Sequence, residues 1–201
     1  MKKLFLILTL LAFSILLQAD EFQTINNNMK PLITETQIQQ EIQKIAKQID
    51  KQYQGKEIAI LMVMKGSICF AADLIRELKT PTTLQFINCS SYGSLGKHNT
   101  ALVTLGKKGV DATDKHVIIV DDILDSGQTM KYLYEFVDSL KPASLKTMVL
   151  LKKNRNDNVR HFEPDFALFE IKDRFVIGYG LDYKEYYRGL KSIYYIPDSI
   201  P

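Results

Sequence analysis

The sequence predicts an α/β fold built on a mostly parallel central sheet flanked by helices, and three observations predict it. Ile58–Met64 and Val117–Val120 are unbroken apolar runs, and Leu145–Leu151 is apolar but for Lys146 and Thr147, the pattern of strands buried on both faces. Helical periodicity separates them, and alternating strand and helix signals imply parallel crossovers. No repeat or low-complexity linker divides residues 29–201, which read as one domain.

The elements follow in order. Thr34-Glu35-Thr36-Gln37 is a capping-box start, and Ile38, Ile42, Ile45 and Ile49 recur at helical spacing until Gly55 ends the tail. The strand Ile58–Met64 is broken by Lys65-Gly66, Ser67–Leu78 reads as a helix, and Leu84–Cys89 as a short strand. Residues 91–112 carry Gly93, Gly96, Gly106 and Gly109 with little core-like periodicity, as in a binding lid. After Val117–Val120 comes an acidic turn, then a helix over Thr129–Leu140 stopped by Pro142, then the strand Leu145–Leu151. Ligands in such sheets sit at the carboxyl ends of the strands, which directs attention to the loops after Met64, Val120 and Leu151.

With 201 residues, 46% hydrophobic and 24% charged, the chain can bury a core and is not a disordered one. Its net charge of +3 lacks the excess of a nucleic-acid footprint. Cys69 and Cys89 make no metal cluster or disulfide framework, which suits a reduced compartment. The first 28 residues differ: Met1-Lys2-Lys3 precedes a nearly unbroken apolar run, Leu4–Leu17, and Gln18-Ala19-Asp20 has the look of a cleavage site. Taken alone this is a secretory signal. The rival reading is an over-extended start, with Asn26-Asn27-Asn28 as a spacer and Met29 as the working first residue.

The densest information lies in His116-Val-Ile-Ile-Val-Asp121-Asp122-Ile-Leu-Asp125-Ser126-Gly127-Gln128-Thr129. Adjacent carboxylates repel unless a cation or hydrogen-bond donor lies between them, and a sugar diol with magnesium meets that need. Gly127 permits close backbone approach, and the hydroxyls and helix N-terminus that follow suit a dianion. Acid pair plus phosphate cradle outlines a ribose-5-phosphate site.

That string resembles the phosphoribosyl pyrophosphate motif of type I phosphoribosyltransferases, and the stretch from about Met29 to Pro197 resembles their hypoxanthine-guanine branch. The resemblance implies the type I phosphoribosyltransferase fold with a small hood and a mobile lid loop. It also implies Mg2+-dependent transfer of a phosphoribosyl group from phosphoribosyl pyrophosphate to hypoxanthine or guanine. Carried over residue by residue, it gives Asp121 and Asp122 the ribose hydroxyls and magnesium, Asp121 standing where the family commonly has Glu. Asp125 matches the general base facing N7 of the purine, and Asp125, Ser126, Gly127, Gln128 and Thr129 wrap the 5-phosphate. Lys65-Gly66, whose peptide can be cis in the family, and Arg188 match pyrophosphate contacts. Lys152 matches the donor to the 6-oxo group, so adenine is expected to be a poor substrate. Phe175 and Val176 match the stacking aromatic and its neighbour, and Asp182 a residue reaching both magnesium and the purine edge. Ser91-Tyr92 opens the lid.

As partners the resemblance implies a homodimer or homotetramer, no nucleic acid, and no membrane for the globular domain. Because the sugar donor is made inside cells, the expected location is cytoplasmic, in conflict with the signal-like lead. Two rivals remain: a regulatory RNA-binding attenuation protein of the same fold, and an aspartyl-phosphate phosphatase or receiver domain. Asp121-Asp122-Ile123 lacks the second Asp two residues on that the phosphatases need.

Overall fold

The computed structural model describes residues 20–91, 101–104, 109–154 and 162–197. Helix α1 covers 20–28, followed by β1 (Lys30–Ile33), α2 (Glu35–Gln52), β2 (Ile58–Met64), α3 (Ile68–Glu77), β3 (Thr82–Ser91) and β4 (Ala101–Thr104). Then come β5 (His116–Leu124), α4 (Gln128–Ser139), β6 (Ser144–Asn154), β7 (Phe166–Lys172), β8 (Phe175–Ile177) and β9 (Ile193–Ile196).

The main sheet has the order β4-β3-β2-β5-β6-β7. Strands β3, β2, β5, β6 and β7 are parallel, and β4 pairs antiparallel with β3 at one edge. The apolar runs are continuous because each central strand feeds two cores. From β2, Ile58, Ile60 and Met62 enter the core shared with α2 and α3, whereas Ala59, Leu61 and Val63 enter the one under α4. Strand β5 divides Ile118 and Val120 from Val117 and Ile119 in the same way. Burial on both faces leaves no polar alternation to read.

The capping box of α2 is formed: the Thr34 N–H donates to Gln37 Oε1 at 2.9 Å, and the Gln37 N–H to Thr34 Oγ1 at 3.3 Å. Thr34→Ala is therefore expected to cost about 1 kcal/mol, read as a melting-temperature drop of roughly 2–4 °C. A drop below a degree would mean that packing of the α2 isoleucines alone defines the helix start.

The structure departs from the sequence reading in several places. Strand β5 does not stop at Val120 but runs through Asp121 and Asp122 to Leu124, because β6 keeps pairing after β2 has stopped at Val120; Asp121 aligns with Val149 and Ile123 with Leu151 on β6. The acid pair thus sits on a strand, not in a turn. Within the stretch read as a lid, Ala101–Thr104 forms a strand, β4. Tyr92 and most of that lid, like residues 1–19 of the apolar lead, fall outside the described residues. Strands β1, β9 and β8 make a separate three-stranded antiparallel sheet, the hood. Asn26-Asn27-Asn28 belongs to α1, whose Ile25 is 1% exposed and packs with Ile177 and Ile196 of the hood. No helix among the described residues is long and apolar enough to cross a membrane.

Candidate active site

A cavity of about 430 Å³ opens at the carboxyl end of β2 and β5. It gathers Met64 at the end of β2 with Lys65 and Gly66 after it, the run from Asp121 to Gly127 with Thr129 and Met130, and Asp182 and Arg188 from the hood side. Parallel strands put their carboxyl ends on one edge of the sheet, so segments distant in sequence converge there.

The acid pair lies at the centre. The Asp122 N–H donates to Asp121 Oδ1 at 2.9 Å, and the Ile123 N–H to Asp122 Oδ1 at 2.8 Å. Burial, aggravated by the Asp122 charge, pushes the Asp121 carboxyl well above the ordinary aspartate range. Burial also raises Asp122, while hydrogen bonds from its neighbours and the Arg188 charge hold it back. A raised carboxyl pKa destabilises the fold as pH climbs through the folded value and costs nothing below the unfolded one. Asp121→Asn is accordingly expected to melt higher than the wild type near about pH 8 and to match it near about pH 3. An advantage that persisted at the acid end would assign the effect to packing.

Gly66 fits only because it has no side chain. A Cβ there would stand 1.6 Å from Asp122 Oδ2, and one at Gly180, where φ is +99°, would stand 1.9 Å from the Gly66 carbonyl oxygen. The cis peptide of this loop is Met64–Lys65, the bond before Lys65-Gly66. Lys65 Nζ reaches Glu185 Oε2 at 3.1 Å.

Strand β5 hands over to α4 through Asp125-Ser126-Gly127. Gly127 takes the left-handed conformation, φ +80°, as N-cap of α4, and the Gln128 N–H donates to Ser126 Oγ at 3.4 Å. The first-turn N–H groups of a helix lack intrahelical acceptors, and here Thr129 and Met130 bring that turn to the cavity wall.

Across the cavity, Arg188 donates to the Gly180 carbonyl at 2.7 Å and pairs with Asp182 at 2.8 Å and Glu185 at 3.2 Å, while its buried Nε has no hydrogen-bond partner among the described residues. Asp182 also accepts from the Glu185 N–H at 2.8 Å.

Of the residues matched to the purine, Asp182 lines this cavity, whereas Lys152, Phe175 and Val176 do not. Lys152, 9% exposed, pairs with Glu163 and with Glu170, the latter at 3.1 Å, and these carboxylates raise its pKa, Glu163 foremost. The next residue is the one that reaches the acidic motif: Lys153 Nζ lies 3.2 Å from Asp125 Oδ2 and 3.0 Å from Asp173. Strand alternation could have pointed to it, since side chains 152 and 153 face opposite ways. Phe175 is 48% exposed with its ring edge-on to Tyr183, centroids 5.7 Å apart, and Val176 is buried in the core. Ser91 ends β3. Glu185, which links Lys65 to Arg188, was not singled out by sequence.

The phosphoribosyl transferase domain model matches residues 33–184. A hypoxanthine-guanine phosphoribosyltransferase of Aquifex aeolicus is 37% identical over 171 residues, covering 85% of this chain and 96% of its own. One from Staphylococcus aureus is 38% identical over 84% of this chain and 94% of its own. Among solved structures, the Trypanosoma cruzi hypoxanthine phosphoribosyltransferase in complex with its product IMP superposes with a TM-score of 0.77 at 36% identity, covering 87% of this chain and 97% of that one. A Bacillus anthracis hypoxanthine-guanine phosphoribosyltransferase with HEPES in its active site does so at 0.75 and 38%, covering 85% and 98%. A purine-salvage transferase fold, an acid pair at the end of its central strand and relatives matched along nearly their whole length lead to one statement: this chain belongs to the hypoxanthine-guanine phosphoribosyltransferases of the phosphoribosyl transferase domain family.

Proposed function

We propose that the protein transfers the 5-phosphoribosyl group of phosphoribosyl pyrophosphate to hypoxanthine or guanine, giving IMP or GMP and pyrophosphate, with Mg2+. The observation that carries this reading is the convergence of Gly66, Asp122 and Arg188 at one point. It supplies an acid pair for the ribose diol and a glycine backbone with an arginine for the leaving diphosphate.

In this reading Asp121 and Asp122 hold the ribose hydroxyls, and Ser126, Gly127, Gln128 and Thr129 hold the 5-phosphate at the start of α4. Lys65, Gly66 and Arg188 stabilise charge growing on pyrophosphate, where the unpartnered Arg188 Nε is a ready donor. Asp125 keeps N7 of the purine free of its proton and offsets positive charge on the sugar carbon. Val176 and Phe175 bound the base, Phe175 by stacking, and Lys152 donates to the 6-oxo group in exchange for its glutamate partners. Ser91 and Tyr92 open the lid that excludes water.

The donor set fits magnesium. Among the described residues no cluster of three or more acids, His or Cys forms a cage, and Mg2+ takes one or two carboxylates and completes its shell with substrate oxygens and water. Asp121, Asp122 and Asp182 would hold it, and when bound it neutralises diphosphate charge. The reading places the catalytic domain at 29–201, in the cytoplasm, as a homodimer or homotetramer. The RNA-binding alternative is not favoured.

Incubation with hypoxanthine, phosphoribosyl pyrophosphate and MgCl2 is expected to yield IMP, with chelation abolishing it. Adenine is expected to react at least about 100-fold more slowly, because two donors would face each other unpaired. Lys152→Ala is expected to narrow that gap by raising the hypoxanthine KM. Absence of nucleotide product would overturn the reading.

A further inference from the structure

Helix α1 precedes the stretch that the family model matches, residues 33–184, yet it is packed against the loop that carries Asp182 and Arg188. Glu21 accepts a hydrogen bond from the Tyr183 hydroxyl and pairs with Lys184 Nζ at 2.7 and 2.8 Å. The ring of Phe22 stands edge-on to Tyr186, centroids 4.6 Å apart, and its carbonyl accepts from the Tyr187 hydroxyl at 3.4 Å. Ile25 fills the space between them and the hood, in a cluster bordered by Tyr183, Tyr187 and Tyr194.

The loop needs such support. Lys184, Glu185 and Tyr187 all have left-handed backbone, φ 51°, 71° and 72°, a conformation that residues with side chains adopt only when their surroundings over-determine it. From within, the loop has the Tyr183–Tyr186 backbone pair, 3.1 and 2.9 Å, and the Asp182 cap on the Glu185 N–H. From outside it has Lys65 on Glu185 and the contacts of α1. Tyr183 is the relay, because the side chain that donates to Glu21 also stands edge-on against Phe175.

We propose that α1 is a strut for the purine side of the site, and that Glu21 is a positioning residue acting through the Tyr183 hydroxyl and Lys184 on the ring of Phe175. The proposal rests on Phe175 stacking the base, as in the function proposed above. Lys184, and after it Tyr183, hold the Glu21 carboxyl below its ordinary range, so it is the ionised acceptor at neutral pH. The effect belongs on purine binding and not on turnover, since Glu21 touches neither the acid pair nor Asp125, and Arg188 is anchored independently of α1 by the Gly180 carbonyl and Asp182.

The test uses the full chain and compares wild type, Glu21→Ala, Glu21→Gln, Tyr183→Phe and the Glu21→Ala/Tyr183→Phe double variant in steady-state assays with hypoxanthine. Glu21→Ala is expected to raise the purine KM roughly fivefold with kcat held within about twofold. Glu21→Gln, still able to accept the Tyr183 hydrogen, is expected to recover most of that loss. The double variant is expected to be little worse than either single one, the signature of two residues acting as a unit. An unchanged purine KM in Glu21→Ala, or fully additive losses, overturns the role of Glu21. Amide hydrogen exchange provides a reading free of substrate: Glu21→Ala is expected to speed exchange across 183–188 and leave the main sheet untouched, and no change there overturns the strut itself. A wild type that makes no IMP would sink the proposed function, while the exchange result would still decide on the strut.

Discussion

Asp125→Asn is expected to lower kcat by roughly 10²–10⁴-fold, the range associated with loss of a general base, while leaving the fold intact. The side chain is 45% exposed, so it carries little packing, and the amide is isosteric. What disappears, in the proposed reaction, is the negative charge beside the reacting nitrogen and sugar carbon. Lys153, which pairs with Asp125, retains Asp173 as a partner, so no buried cation is stranded. Initial rates at saturating substrates, with thermal unfolding as a control for folding, measure the effect. A kcat within tenfold of wild type would remove Asp125 from the chemistry and reduce it to a partner of Lys153.

The second large effect is expected at Gly66. Alanine there would set a methyl group 1.6 Å from Asp122 Oδ2, far inside van der Waals contact, and the obstacle is not the free end of a long side chain. Asp122 is short, sits on β5, and its other oxygen accepts from the Ile123 N–H. It therefore must swing out of place or push the loop away, and in the proposed function either one displaces the ribose ligand from the pyrophosphate loop. Displacements near 1 Å at a reacting centre cost on the order of 100-fold. Gly66→Ala is expected to lose at least that much in kcat/KM for phosphoribosyl pyrophosphate, and about 1–3 kcal/mol of stability from overpacking. Near-normal kcat/KM would mean that the loop has slack and that the approach of Gly66 to Asp122 is not needed for the reaction.

How much of this could be read from the chain alone varies by element. Strand β2 was legible to the residue, Ile58–Met64, because burial on both faces makes the pattern a solid apolar block. The start of α2 was legible because Thr34 and Gln37 satisfy each other locally. The hood was not: β8 has three residues and β1 and β9 four each, too short for a periodicity, and their partners are remote in sequence. The acid pair was found from its spacing, yet its place on a strand depends on β6 continuing alongside it, which no local signal encodes. Lysines 152 and 153 are equally basic in sequence. Only the strand geometry separates the one bound by Glu163 and Glu170 from the one that meets Asp125.

The approach of Gly180 to the Gly66 carbonyl has a bearing on redesign. Main chain meets main chain there, a methyl group at Gly180 having only 1.9 Å to the Gly66 carbonyl oxygen, so the two segments have no compressible layer between them. Efforts to broaden the range of accepted bases by reshaping the backbone from Ile177 to Asp182 would be transmitted directly to the loop that the proposed function assigns to the departing diphosphate. Altered selectivity is better sought by exchanging side chains on an unmoved main chain, with position 175 the first to vary.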